Sequence, residues 1–231
     1  MSSTPTSAAK REGAVWTTGE RVSCWQCGAD HAPGFFCPAC NAIQSLPEQA
    51  DYFDILGIPR RLVVDTDALQ KRYYDLHRRL HPDLYQTGPQ PARQASLRNT
   101  AAVNQAYRTF RDPIDRGVYW LSLRGEALGA NNNRVPPELA ALVFEVQEKL
   151  EELREARQTD RNGALIEEVR DARTELAERQ QTLMDQLERN FAAWDAGTAD
   201  SAALTRDLKA ILSALAYLGT LIRDVDKELE H

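Results

Sequence analysis

Four cysteines fall within 17 residues, as Cys24-Trp25-Gln26-Cys27 and Cys37-Pro38-Ala39-Cys40, and none follows in the remaining chain. Each CxxC lets two thiolates meet one ion from a tight turn. Two such turns complete a tetrahedron of sulfurs, a donor set that suits Zn²⁺. A site closed by Cys24, Cys27, Cys37 and Cys40 leaves no coordination position for water, which predicts a structural ion, one per chain. Gly28 and Gly34 would allow the turns. A redox dithiol, a disulfide pair and a rubredoxin-like iron site are the other chemistries open to the same residues. His31 lies between the two pairs, but four sulfurs suffice, so it reads as a solvated loop residue.

The second group is His81-Pro82-Asp83. As a tripeptide it is weak, because short motifs recur by chance. Its setting adds weight: it follows a helical stretch bearing Lys71, Arg72, Arg78 and Arg79 and precedes a polar loop and a second amphipathic stretch. Pro82 fixes φ and removes a donor, so the turn is stiff. His81 and Asp83 then project from a rigid platform, and the basic residues can steer an acidic partner. Taken singly, each of these bases could be merely solvated. No nucleophile pattern accompanies His81 and Asp83, so the expected chemistry is recognition and not catalysis.

These residues need elements to hold them. Leu69, Tyr73, Leu76 and Leu80 form one helical stripe, with Asp65 and Thr66 as N-cap candidates and Pro82 as its stop. Val103, Ala106, Tyr107 and Phe110 form another, and the loop between, with Gly88, Pro89 and Pro91, predicts an antiparallel hairpin. Three longer stripes follow, Leu139 to Leu153, Leu165 to Leu187 and Leu204 to Leu229, with Gly163 and Gly197 in the breaks. They predict an antiparallel three-helix bundle. No period-2 strand pattern of useful length is present, so the fold class is all-α: a helical hairpin with short helices, a C-terminal bundle, and a small cysteine module in front. The segments run 1–20 as a flexible tail, 21–46 as the zinc module, 51–124 as the hairpin domain, 125–137 as a linker and 138–231 as the bundle.

Composition narrows the function classes. The net charge of −6 argues against a general nucleic-acid binder, which needs a surplus of Lys and Arg. No stretch approaches the roughly 20 apolar residues of a membrane span. Residues 1–18 lack the apolar core of a secretory signal, and Glu12 directly after Lys10 and Arg11 weakens a mitochondrial transit reading. A cytoplasmic location is therefore expected, with the mitochondrial matrix as the alternative.

Asp51-Tyr52-Phe53 and Leu56-Gly57 resemble the opening helix of a J domain, and Asn104-Gln105-Ala106-Tyr107 the core of its third helix, around the His81-Pro82-Asp83 loop. The order of cysteine module, J domain and bundle resembles HscB-type co-chaperones with an N-terminal zinc module. Cys24-Trp25-Gln26-Cys27-Gly28, Phe35-Phe36-Cys37-Pro38, Arg116-Gly117-Val118-Tyr119 and Leu121-Ser122-Leu123-Arg124-Gly125 carry that resemblance, which covers roughly residues 21–231. It implies two partners, a DnaK/HscA-type chaperone ATPase engaged by His81, Pro82, Asp83 and the basic residues, and an iron–sulfur scaffold protein bound by the bundle. The implied scaffold patch is Ala140, Ala141, Phe144, Leu215 and Tyr217. Where the family usually has larger residues, this chain has Ala140 and Ala141, so the dock would be weaker or differently shaped. A monomer or weak dimer is expected. The competing reading is a J-domain adaptor for another client, with the bundle used for dimerisation or other docking.

Helical geometry bears on the same patch. Phe144 sits about 100° round its helix from Val143, outside the stripe of Leu139, Val146 and Leu150. Ala214, Tyr217 and Leu221 form a stripe beside the main one on the last helix. Surplus apolar surface beside a complete core suggests an interaction site; a wide core face is the other reading. Trp194 is expected to anchor the end of the second bundle helix.

Overall fold

The computed structural model describes residues 21–47, 49–128, 135–156, 163–197 and 200–230. The tail expected over 1–20 and linker residues 129–134 lie outside them. The chain divides into two compact units. One takes in the described residues up to Arg60 together with Val64–Arg111; the other takes in Arg61–Val63 and the chain from Asp112 onward. No described helix is long and apolar enough to cross a membrane.

In the first unit a two-stranded antiparallel ribbon, β1 (Val22–Ser23) and β2 (Asp30–His31), pairs Val22 with His31 and Ser23 with Asp30. A single bridge joins Phe36 to Ile43. Helix α1 (Tyr52–Leu56) is capped by Asp51, whose side chain accepts from the Asp54 N–H, and stopped by Gly57 in the left-handed region at φ 63°. Helix α2 (Thr66–Leu80) starts at the expected Asp65 cap and buries Leu69, Leu76 and Leu80. After a 3-10 turn (Pro82–Tyr85), α3 (Gln90–Arg111) runs back along it. Leu80 meets Ser96 and Tyr73 meets Asn104, an order that makes the pair antiparallel. Pro91, expected in the loop, lies in the first turn of α3, where a missing N–H leaves no hydrogen bond unmade. Phe53 and Phe110 meet edge-on at 4.6 Å in this core, beside buried Leu56, Val103 and Ala106.

The second unit begins earlier than the expected bundle. Helix α4 (Pro113–Ser122), capped by Asp112 with Pro113 in its first turn, packs on the bundle helices. A Cβ on Gly117 would lie 3.2 Å from both Leu212 methyls and 3.4 Å from the Phe191 ring, so the small residue is what allows the approach. Trp194 does anchor the end of its helix. It meets Trp120 edge-on at 5.8 Å, and the Arg124 guanidinium lies 4.2 Å from its ring centre. The Asp195 carboxylate accepts from the Leu62 and Val63 N–H groups at 2.9 and 2.8 Å, which accounts for residues 61–63 belonging to this unit.

The bundle is α5 (Ala140–Ala156), α6 (Gly163–Ala196) and α7 (Ser201–Glu230). Arg173 pairs with Asp226 at 3.0 Å near one end, and Asn190 donates to the Leu204 carbonyl near the other, so α6 and α7 are antiparallel. Gly197 ends α6 at φ 63°. The core takes the expected stripes, with Val143, Val146, Leu150 and Leu153 from α5, Leu176, Leu183 and Leu187 from α6, and Leu208, Leu218 and Val225 from α7. The expected second stripe on α7 is a correction: Ala214 and Leu221 lie in the core, and Tyr217 packs half-buried against it. The cause is that α7 has α4, α5 and α6 as neighbours, and a helix covered on several sides buries a wide face.

Candidate functional site

The cysteine module folds around its sulfurs. The Gly28 N–H bonds back to the Cys24 carbonyl and the Asn41 N–H to the Cys37 carbonyl, at 2.9 and 2.8 Å. The left-handed residues after the two pairs are Gly28 at φ 72° and Asn41 at φ 58°; asparagine, and not Gly34, supplies the second. The four Sγ atoms all lie within 4.8 Å of one another. Cys24 is 3.6 Å from Cys40 and Cys27 is 3.8 Å from Cys37, too far for S–S bonds. Cys24 and Cys37 are buried, and Cys27 is exposed.

The electrostatics suit a cation. Burial raises the Cys24 thiol, but the Cys27 and Gln26 backbone N–H groups outweigh it and bring it down to about 6. At Cys40 the Ala42 amide favours the thiolate, but burial and the Cys27, Cys24 and Cys37 sulfurs push it up to about 12. Four sulfurs this close cannot all ionise unless a positive charge sits among them, and a divalent ion supplies it. The donor set therefore fits a metal. His31, expected to be solvated, is instead buried at 4% exposure, with its Nδ1 2.7 Å from the Ala32 carbonyl.

His81 closes α2 with extended backbone, and Pro82 opens the 3-10 turn. The Leu80 carbonyl, which α2 leaves without an intrahelical partner, accepts from Ser96 Oγ at 2.6 Å and Thr100 Oγ1 at 3.0 Å, both on α3. Tyr85 donates to the Arg79 carbonyl at 2.9 Å. His81 Nδ1 accepts from the Asp83 N–H at 3.3 Å, and Asp83 Oδ1 accepts from Gln86 at 2.9 Å. The loop is thus tied on both sides while the His81 and Asp83 side chains stay 41% and 71% exposed.

The basic residues differ among themselves. Lys71 is exposed. Arg78 pairs with Asp75 at 2.8 Å, both well exposed. Arg79 lies over the Phe36 ring, 4.4 Å from its centre. Arg72 donates from Nε to the Leu56 carbonyl at 2.9 Å; burial, with Arg79 nearby, lowers the pKa of its guanidinium. Arg72 therefore also joins α2 to the end of α1. On the bundle, Ala140 and Ala141 are exposed, and Phe144 is 62% exposed. Leu215 is 1% exposed, inside the core, because it shares the wide face of α7.

The DnaJ-domain family profile matches residues 51–119. The human iron–sulfur cluster co-chaperone protein HscB is 37% identical over 134 residues, 56% of this chain and 57% of the human one, so the match spans a little over half of that relative. The crystal structure of human HscB superposes with a TM-score of 0.70 at 26% identity, covering 89% of this chain and 98% of that one. This chain carries a DnaJ domain over residues 51–119 and resembles human HscB in sequence and in fold. Chaperone HscB from Vibrio cholerae shares the fold, with a TM-score of 0.57 at 21% identity over 77% of this chain and 96% of that one.

In this chain, sequence reasoning missed the buried polar residues that carry the geometry. Gln44, Ser96, Asn99 and Thr100 are all buried. Each looks unremarkable in sequence, since nothing local reveals which distant backbone group a buried amide or hydroxyl will meet. Leu84, 64% exposed beside Asp83, was missed as well; an apolar residue directly after the tripeptide was the available signal.

Proposed function

We propose that this chain is a co-chaperone of iron–sulfur cluster assembly. Its J domain, residues 51–124, stimulates ATP hydrolysis by a DnaK/HscA-type chaperone, and its bundle, residues 138–231, presents the iron–sulfur scaffold protein. The observation that carries this reading is the His81-Pro82-Asp83 loop, with its base held by two hydroxyls on the Leu80 carbonyl and its side chains turned to solvent. Recognition by such a loop needs rigidity more than reactivity, because a preorganised donor and acceptor lose little freedom on binding. Lys71, Arg78 and Arg79 add positive charge toward an acidic partner. Ala140, Ala141 and Phe144 form the scaffold dock, with Tyr217 as a half-buried contributor and Leu215 as support beneath.

The test is direct. Added to an ATP-loaded DnaK-class chaperone, the chain raises steady-state hydrolysis, and adding the scaffold protein raises it further. No stimulation by the wild-type chain defeats the reading. Stimulation without scaffold binding leaves the reading with a different client, which the small Ala140 and Ala141 favour.

Zn²⁺ is the proposed ion at Cys24, Cys27, Cys37 and Cys40, where it would organise the fold of the module. Elemental analysis of protein purified without added metal is expected to give close to one zinc per chain. Iron, or no metal, would overturn this assignment.

A further inference from the structure

We infer that the four-cysteine module is a positioning element of the chaperone-facing side of the J domain, acting through Phe36 beneath Arg79 and Asn99 between the module and α3; this rests on the co-chaperone reading above. Two separate contacts within the first unit carry it.

The first runs through α3. Gln44 donates from Nε2 to Cys24 Sγ at 3.3 Å and to the Ala42 carbonyl at 3.0 Å, so it belongs to the cysteine knuckle. Its own carbonyl accepts from Asn99 Nδ2 at 2.8 Å, and Asn99 Oδ1 accepts from the Leu46 N–H at 3.3 Å. Asn99 is fully buried and uses both ends of its amide on the chain leaving the module. It sits between Ser96 and Thr100, the two residues that hold the Leu80 carbonyl next to His81. One turn of α3 thus grips the module and the loop together.

The second contact is the stack of the Arg79 guanidinium on Phe36, 4.4 Å from the ring centre. Phe36 is next to Cys37 and bridges to Ile43, so its ring has a fixed place only when the cysteine knuckle is folded. Arginine side chains lose considerable rotamer freedom on binding. A base already held on an aromatic shelf has less to lose, and the ring adds attraction of its own. A module that served only its own stability would require neither contact.

The test is a double-mutant cycle on the intact, zinc-loaded chain, reading Kd for an ATP-loaded DnaK-class chaperone. Phe36→Leu keeps apolar bulk and removes the aromatic face; Arg79→Ala removes the base. Each is expected to weaken binding about two- to fivefold, and the double variant to bind no worse than Arg79→Ala alone. Phe36→Tyr is expected to restore wild-type binding, with zinc content and melting temperature unchanged in all four. Asn99→Leu, which leaves the cysteines, Phe36 and Arg79 in place, is expected to weaken the same binding and to speed amide exchange at Leu84. Effects of Phe36→Leu and Arg79→Ala that simply multiply, or full binding by Asn99→Leu, overturn the proposal. A wild-type chain that does not bind the chaperone overturns the co-chaperone reading itself and this proposal with it, a result distinct from multiplying effects on a binding wild type.

Discussion

Replacing His81 with glutamine is expected to abolish stimulation of the chaperone ATPase and to leave the melting temperature where it was. The ring is substantially exposed and makes polar contacts to Asp83, at 3.3 Å from the backbone N–H and 3.4 Å from the carboxylate. His81 caps the 3-10 turn through its Nδ1, and the glutamine amide oxygen can accept the same Asp83 N–H, so the cap bond can be kept. Glutamine is of similar reach and polarity, so the loop keeps its course: Pro82 still sets the turn, and Ser96 and Thr100 still hold the Leu80 carbonyl. What is lost is the imidazole presented from that platform. Thermal melting and stimulated hydrolysis measured on one preparation decide the matter. Normal stimulation by His81→Gln would defeat the assignment of the loop. Charge reversal at Arg78 is expected to give a smaller loss that shrinks as salt rises, because exposed charges are screened over about 10 Å at 0.1 M. Arg72 is a poorer probe of steering, since reversing it also removes the bond to the Leu56 carbonyl and leaves a half-buried carboxylate between α1 and α2.

Phe144→Ala is expected to lower affinity for the iron–sulfur scaffold roughly five- to hundredfold without lowering the melting temperature. An aromatic anchor at the centre of an interface contributes on the order of 1–3 kcal/mol when truncated, and the fold-change follows from that. Phe144 is 62% exposed, so the bundle does not depend on its ring. Leu215→Ala should behave in the opposite way. At 1% exposure it sits in the core, and its truncation is expected to cost about 2–5 kcal/mol of stability and to lower the melting temperature. The two variants measured side by side separate a docking residue from a supporting one. Tyr217, packed half-buried against the core, should show some of both losses. Scaffold affinity unchanged by Phe144→Ala would remove the dock from α5.

Local chemistry was legible in the sequence of this protein. Two CxxC pairs close in the chain bring four sulfurs together by turn geometry alone, and the sulfurs do lie within 4.8 Å of one another. The stripe from Leu69 to Leu80, the Asp65 cap and the Pro82 stop needed only helical periodicity, and α2 runs as they required. The three bundle stripes and their glycine breaks were readable for the same reason, since each depends on residues within a turn or two of one another.

Only the tertiary structure decided which faces of those helices are covered. Periodicity shows that a helix has an apolar face but not how many neighbours it will meet. With three neighbours α7 takes Ala214, Leu215 and Leu221 into the core, whereas Phe144 on α5 stays outside. The same holds for α4, which reads as the tail of the J domain yet fits against Leu212 and Phe191 because Gly117 lets it approach. It holds most of all for Asn99, Ser96 and Thr100. A buried polar side chain must find a partner, and here the partners are 55, 16 and 20 residues away in sequence. The composition of α3 alone cannot name them, because they exist only once the chain has brought the cysteine module and the His81 loop to the same turn of the helix.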